Sequence, residues 1–217
     1  MPQPLRTPRT WTLLGRTPPG FEFVLKLSRY LSHITRLSAP HEPVTRFLDR
    51  AVPLGDRRGP LLLQLPPRFA VHPQRLAATL RCVPLGVPIA VELRDSSWFT
   101  DEVRGILRDR TAPLVLTDRG DELQEPEWLT ARWGYVRLHQ GTATPWSCYT
   151  DSRLRWWAER IGQLWGADAT VYVFFNNDPF GCAVHDAARF ATICNDLGLP
   201  TTRVPDINAA PLTGSAR

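Results

Sequence analysis

The 217-residue sequence predicts an α/β fold built on a parallel sheet. Six short segments rich in valine, leucine and aromatic residues are bounded by proline, glycine or polar clusters, as strands are. Segments with helical apolar spacing lie between them, and strict strand–helix alternation is the order a parallel sheet requires. The strand segments are also apolar almost throughout rather than at every second residue, which fits strands covered on both faces. Roughly 20 to 40 residues separate successive strand starts, room for one crossover helix each. Two architectures satisfy this pattern: a doubly wound sheet, or a sheet closed into a barrel.

The predicted strands are Phe21–Leu27 (FEFVLKL), Pro60–Leu65 (PLLLQL), Pro88–Arg94 (PIAVELR), Pro113–Asp118 (PLVLTD), Tyr135–His139 (YVRLH) and Thr170–Phe175 (TVYVFF). Between the first two, Val44, Phe47, Leu48 and Ala51 have the spacing of one helix face. Pro73 opens the next helix, running toward Leu80, at a position where its missing N–H costs nothing. Thr100 is the expected N-cap in front of Val103, Ile106 and Leu107. Leu154, Trp157, Ile161 and Leu164 line a longer helix that starts near Asp151, and Ala187, Phe190, Ala191 and Cys194 face inward on the last one. Residues 1–16 read as an irregular N-terminal segment and 17–199 as a single barrel-like α/β domain. Residues 200–217 lack periodicity and read as a flexible tail.

A hydrophobic content of 43% with eight tryptophans excludes a disordered chain. No apolar run approaches the ~18–20 residues that span a bilayer, and the N-terminus has no continuous apolar segment of the secretory type. The four cysteines, Cys82, Cys148, Cys182 and Cys194, have neither metal-site nor redox-motif spacing. A reduced, cytoplasmic protein without a membrane partner is therefore expected. The net charge of +5 invites a nucleic-acid reading, but the basic residues are spread along the chain, which makes nucleic acid the weaker partner class. Lys26 is the only lysine in the chain, and it closes the apolar-rich run FEFVLK.

Polar side chains fall at the C-terminal ends of the predicted strands. Period two puts Val24 with Lys26, Leu62 with Gln64, Ala90 with Glu92 and Arg94, Leu116 with Asp118, Tyr135 with Arg137 and His139, and Tyr172 with Phe174 and Asn176. In a parallel barrel each set would point inward, and the C-terminal rim is where such barrels carry active sites. The loop RDSSWF adds Arg94, Ser97 and Trp98 to this rim, and FNNDPFG adds Asn176, Asn177 and Asp178. His33 is either a loop residue or a further rim group.

The leading expectation is acid–base chemistry on a small polar or anionic substrate. Glu92, His139 and Asp118 are the candidate catalytic groups, and Lys26, Gln64, Arg94, Trp98, Arg137, Asn176 and Asp178 the candidate substrate contacts. A second reading is a metal-dependent phosphodiester-cleaving or nucleic-acid-binding barrel, with Glu92, Asp118, His139 and Asp178 as oxygen and imidazole ligands for a divalent metal. The density of cations speaks for an anionic ligand, so no residue is assigned to a metal. A third reading pairs Arg137 with Glu92 as an internal ion pair without chemistry. No nucleotide cofactor is expected, because no dinucleotide fingerprint or phosphate-cradling Gly-rich loop occurs. The Gly-x-Ser-x-Gly and His-Glu-x-x-His signatures are missing as well.

The stretches TPPGFEFVLKLSRYLSHITRL, GPLLLQLPPRF, AVELRDSSWF, YVRLHQG and VYVFFNNDPFGCAVHDA, from about residue 17 to residue 188, resemble the YecE-like family, the domain of unknown function 72. The resemblance implies a TIM-type parallel barrel and leaves the reaction open, since the activity of family members is unsettled. It places Lys26, His33, Gln64, Glu92, Arg94, Ser97, Trp98, Asp118, Arg137, His139, Asn176 and Asp178 in shared motifs. Family members usually open with a Gly-Thr-Ser-Gly-Trp strand and a second strand of Glu-Ile-Asn type, and neither occurs here. The expectation is thus an incomplete barrel of about six strand–helix units, open on one side, with a true start upstream that restores two strands. The alternatives are an inactive truncated fragment, a degraded copy of the family's barrel, and a partner that covers the gap. Where the family usually reads His-Gly, this chain has His139-Gln140-Gly141, so the loop there is expected to differ in shape.

Overall fold

The structure is a computed structural model that describes residues 15–119, 122–123, 125–143 and 148–204. The predicted segments at the two termini lie, apart from residues 15–16 and 200–204, outside the described residues. The chain divides into two units, residues 1–112 and 113–217, and each has its own sheet.

In the first unit, β1 (Phe23–Lys26), β2 (Arg58–Gln64) and β3 (Ile89–Glu92) form a parallel sheet in that order. The register sets Leu61 opposite Ile89 and Leu63 opposite Val91, so these buried side chains share one face. Among the described residues three α-helices connect or follow the strands: α1 (His41–Ala51), α2 (Pro73–Arg81) and α3 (Asp101–Asp109). Pro73 starts α2, and the Thr100 hydroxyl caps α3 by accepting the Val103 N–H at 3.3 Å. The apolar stripes of α2 and α3, Leu76 with Leu80 and Val103 with Leu107, are fully buried.

The second unit holds β4 (Leu116–Arg119), β5 (Glu122–Leu123), β6 (Gly134–Leu138) and β7 (Val171–Phe175) in the order β5-β4-β6-β7. Strands β4, β6 and β7 are mutually parallel, and β5 is antiparallel to β4. Its helices are α4 (Asp151–Trp165) and α5 (Cys182–Asp196). Leu116, Val136 and Leu138 from the sheet pack in one core with Leu154, Trp157 and Ile161 of α4 and Phe190 and Ile193 of α5.

Two sheets replace the barrel expected from the sequence. A barrel needs one continuous parallel ladder in which each strand is paired on both edges. Strand β4 has β6 on one edge, but its other edge is taken by β5, with Asp118 opposite Leu123 and Arg119 opposite Glu122. A two-residue return strand has no hydrophobic period to announce it, and it occupies the edge that a further parallel strand would need. Strand–helix alternation is a local property and is present; closure is a long-range pairing property, and local pattern does not encode it.

Cysteine pairing is a second correction. Cys148 and Cys182 are disulfide-bonded, while Cys82 and Cys194 are free thiols. The two partners are separated by 34 residues and meet through the packing of α5 beside the segment that leads into α4, which sequence spacing alone does not reveal. Among the described residues no helix is long and apolar enough to cross a membrane.

Candidate functional site

The three strands of the first sheet end together. Gln64 is opposite Glu92 and Lys26 is opposite Leu62, so period two puts Lys26, Gln64 and Glu92 on the same face, the one turned away from Leu61, Leu63 and Val91. Their side chains form a line across the strand ends. Lys26 Nζ donates to Gln64 Oε1 at 2.5 Å, and Gln64 Nε2 donates to Glu92 Oε1 at 2.7 Å. Arg94 Nε stands 3.9 Å from the same carboxylate oxygen. An amide has one accepting and one donating end, so Gln64 can serve the cation on one side and the carboxylate on the other without conflict. Glu92 is 2% exposed and Gln64 7%, whereas Lys26 is exposed and Arg94 partly so. Four of the predicted site residues, from three strands and a loop, are thereby brought together.

His33 joins them electrostatically. It sits on a single turn of π-helix, Tyr30–Ile34, closed by the Thr35 N–H donating to the Tyr30 carbonyl at 2.9 Å. Directly after this turn, Arg36, Leu37 and Ala39 have φ of 48°, 62° and 47°. π-turns and left-handed non-glycine residues are costly and gather at functional sites. Partial burial first, then the charges of Arg29, Lys26 and Arg94, lower the pKa of His33, so the neutral imidazole is favoured. Ser32 Oγ lies 2.8 Å from His33 Nδ1 and also reaches the Ser28 carbonyl at 3.3 Å. With the single hydroxyl proton given to Ser28, Nδ1–H donates to Ser32 and Nε2 keeps its lone pair.

Trp98 is not part of this edge in the expected way. It is fully buried, its indole N–H donates to the Phe69 carbonyl at 2.6 Å, and its ring meets Phe69 edge-on at 5.4 Å. The Ser97 hydroxyl is likewise taken up locally, by Asp95 at 2.7 Å and the Val71 N–H at 3.0 Å.

In the second unit, β4 does not present its polar residues as expected. The register sets Thr117 opposite Arg137 and Asp118 opposite Leu138. Asp118 therefore shares a face with Leu138, on the helix-covered side, and not with Arg137. Its carboxylate is fully buried. It accepts the Tyr149 hydroxyl at 2.6 Å, the Trp157 indole N–H at 2.9 Å and the His139 backbone N–H at 3.2 Å, with Arg153 at 3.9 Å. Arg137 pairs across the ladder with Thr117 and Phe174, on the face that carries the stacked rings of Tyr135, Tyr172 and Phe174. His139 follows β6 and is partly exposed, and Asn176 and Asp178 are exposed in the loop after β7.

Three buried polar residues in this unit carry structural weight that the sequence reading missed. Asp186 accepts from the Tyr149 N–H, Asn177 Nδ2 and Arg189. Its signal was available: it lies four residues from both Cys182 and Phe190, on the inward stripe of α5. Tyr149 had no such signal. Glu125 receives the Thr117 N–H and hydroxyl, both at 2.6 Å.

Burial holds the Asp118 and Asp186 carboxyls above the usual 3.8, against the opposing pull of their hydrogen bonds and of Arg153 and Arg189. A carboxyl raised in the folded state binds its proton more tightly there than in the unfolded chain. Its contribution is therefore full below pH 3.8 and is lost as pH rises through the folded value. Acidification from about pH 7 to about pH 4 should thus draw stabilisation from these two groups, opposite to the ordinary carboxylate trend. In urea unfolding followed across that range, the double replacement Asp118→Asn with Asp186→Asn should remove this component; an unchanged pH slope would count against it.

Among the described residues no group of three or more histidine, cysteine, aspartate or glutamate side chains is arranged to hold a metal. A cavity of about 490 Å³ in the second unit is lined by Ile161, Val171, Val173, Phe190 and Cys194 among others, and includes none of the predicted site residues.

Residues 2–208 match the family described as "Protein of unknown function DUF72". A DUF72 family protein of Thermotoga maritima MSB8 is similar in structure with a TM-score of 0.73 at 24% identity, over 90% of this chain and 81% of that one. Another, from Enterococcus faecalis V583, gives 0.71 at 21% identity, over 86% of this chain and 79% of that one. No curated protein matches. At these identities the two structures attest a common fold and carry no chemistry across. The family match extends over nearly the whole chain, through both units and through the strand ends that hold Lys26, Gln64, Glu92 and Arg137, and on that evidence the protein belongs to the DUF72 family.

Proposed function

We propose that the C-terminal edge of the β1–β2–β3 sheet is a binding and acid–base site for a small anionic molecule. The observation that carries this reading is the hydrogen-bonded line Lys26–Gln64–Glu92 with Arg94 at its end. Lys26 and Arg94 flank the Glu92 carboxylate and, with Arg29, act on His33, so an anion is the ligand whose charge the edge would balance. Lys26 and Arg94 are the contacts for its negative end, and Gln64 fixes where Glu92 and Lys26 stand. Glu92 or the neutral His33 would accept a proton from the bound molecule, and a base flanked by cations stabilises the anion that this step leaves behind.

Inorganic phosphate and acetate are suitable probes. Saturable binding of one of them by calorimetry is expected, with the affinity reduced at least tenfold, about 1.4 kcal/mol, in Lys26→Met. Glu92→Gln keeps an acceptor for Gln64 and should retain or tighten binding, because it removes a negative charge from the edge. Absence of saturable binding to the intact protein, or a Lys26→Met variant that binds as the parent does, would defeat the proposal.

A further inference from the structure

The Cys148–Cys182 disulfide has two unlike ends. Cys148 is partly exposed, in the segment that enters α4; Cys182 is fully buried, as the first residue of α5. The difference in burial favours attack of an incoming thiolate at Cys148, which displaces the sulfur of Cys182. Cys182 is the first residue of a 15-residue helix that follows Gly181 without a side-chain cap, and its own N–H is held by the Pro179 carbonyl, so a departing thiolate there faces the positive end of the helix dipole. A leaving thiol whose anion is stabilised leaves faster.

Cys148 is also joined directly to a clamp. Tyr149, the next residue, gives its N–H to Asp186 at 2.8 Å, receives Arg189 on its carbonyl at 3.1 Å, donates its hydroxyl to Asp118 and accepts the Gln140 N–H at 3.0 Å. The Cys148 carbonyl accepts the Ala143 N–H at 3.1 Å and packs so tightly on Gly141 that a Cβ there would overlap it. Residues 139–143, Cys148 and the start of α5 are thus held as one assembly, and the disulfide is its covalent member.

We infer that Cys148–Cys182 is an exchange site for small monothiols of the glutathione type, and that its redox state sets the order of the chain at His139 and Gln140. In the first step a thiolate attacks Cys148 Sγ; the new S–S bond forms as the Cys148–Cys182 bond breaks, and the electron pair leaves on Cys182. In the second step another thiolate attacks the small-molecule sulfur of the mixed disulfide and Cys148 departs as its thiolate. Two monothiols are oxidised to one disulfide, the protein disulfide is reduced by two electrons, and the two protons released by the monothiols end on Cys148 and Cys182.

The test is equilibration of the full chain in glutathione buffers of increasing reducing strength, read by thiol alkylation and mass spectrometry. Amide hydrogen exchange is measured on the same samples. Reduction within the glutathione range is expected, with exchange at His139 and Gln140 faster by an order of magnitude in the reduced protein. With oxidised glutathione, Cys182→Ser should carry the adduct on Cys148, and Cys148→Ser should leave Cys182 unmodified. The buried Cys194, whose thiol is pushed up to about 11, is an unreactive internal control. The inference is overturned by a disulfide that survives reducing glutathione, by adducts forming equally on Cys182, or by exchange at residues 139–140 that is the same in both redox states. The comparison of oxidised and reduced wild-type protein needs no variant, so a variant that fails to fold does not shield it.

Discussion

Asp118→Ala is expected to destabilise the protein by about 3–5 kcal/mol, a large share of the ~5–15 kcal/mol that holds a typical domain together. The carboxylate is fully buried and is the common acceptor for Tyr149, Trp157 and the His139 backbone. Arg153, 3.9 Å away and only 11% exposed, lies over the rings of Trp156 and Trp157 at 4.2 and 5.7 Å. Removing Asp118 takes the acceptor from the Tyr149, Trp157 and His139 donors and a carboxylate from beside a largely desolvated guanidinium, and buried donors that lose their acceptor cost more than the bonds themselves were worth. Asp118→Asn keeps the shape and one accepting oxygen, and should cost about 1–3 kcal/mol. Urea unfolding measures both. A solvent-facing catalytic base would give a different result: replacements within about 0.5 kcal/mol of wild type, with turnover lost instead. That outcome would restore Asp118 to the role its position at a strand end first suggested.

The fate of Asp118 shows where sequence reasoning stops. All six expected strands form, and Pro73 and Thr100 begin helices where their chemistry puts them, because propensity, capping and periodicity are local. The Lys26–Gln64–Glu92 line was legible for the same reason: each residue is the last polar side chain of an apolar strand, and the three strands are neighbours in register. Asp118 looked equivalent in PLVLTD. Its face, however, depends on which residue of β6 it opposes, and a one-residue difference in register sends a side chain to the other side of the sheet. The barrel failed for a related reason, since the two-residue β5 decides what β4 pairs with. His33 carried a weak signal in the sequence, because a π-turn depends on the Thr35-to-Tyr30 bond and not on composition. The cysteine pair had none.

Trp98 supplies the second large effect, and it separates a ligand contact from a structural one. It is among the largest fully buried side chains, and the loop RDSSWF suggested a place at the rim because it follows directly on the strand that carries Glu92. Trp98→Ala should cost about 3–5 kcal/mol through the cavity left against Phe69 and the unpaired Phe69 carbonyl. Trp98→Phe retains most of the apolar volume and loses the 2.6 Å indole bond, so a cost of about 1–2 kcal/mol is expected. The phosphate affinity of the folded Trp98→Phe protein should equal that of wild type, because no indole atom is open to a ligand. If Trp98 instead lined the site, the phenylalanine variant would stay near wild type in urea and weaken anion binding severalfold. Thermodynamics and binding measured on that one variant therefore point in opposite directions under the two roles, and the buried indole predicts the first.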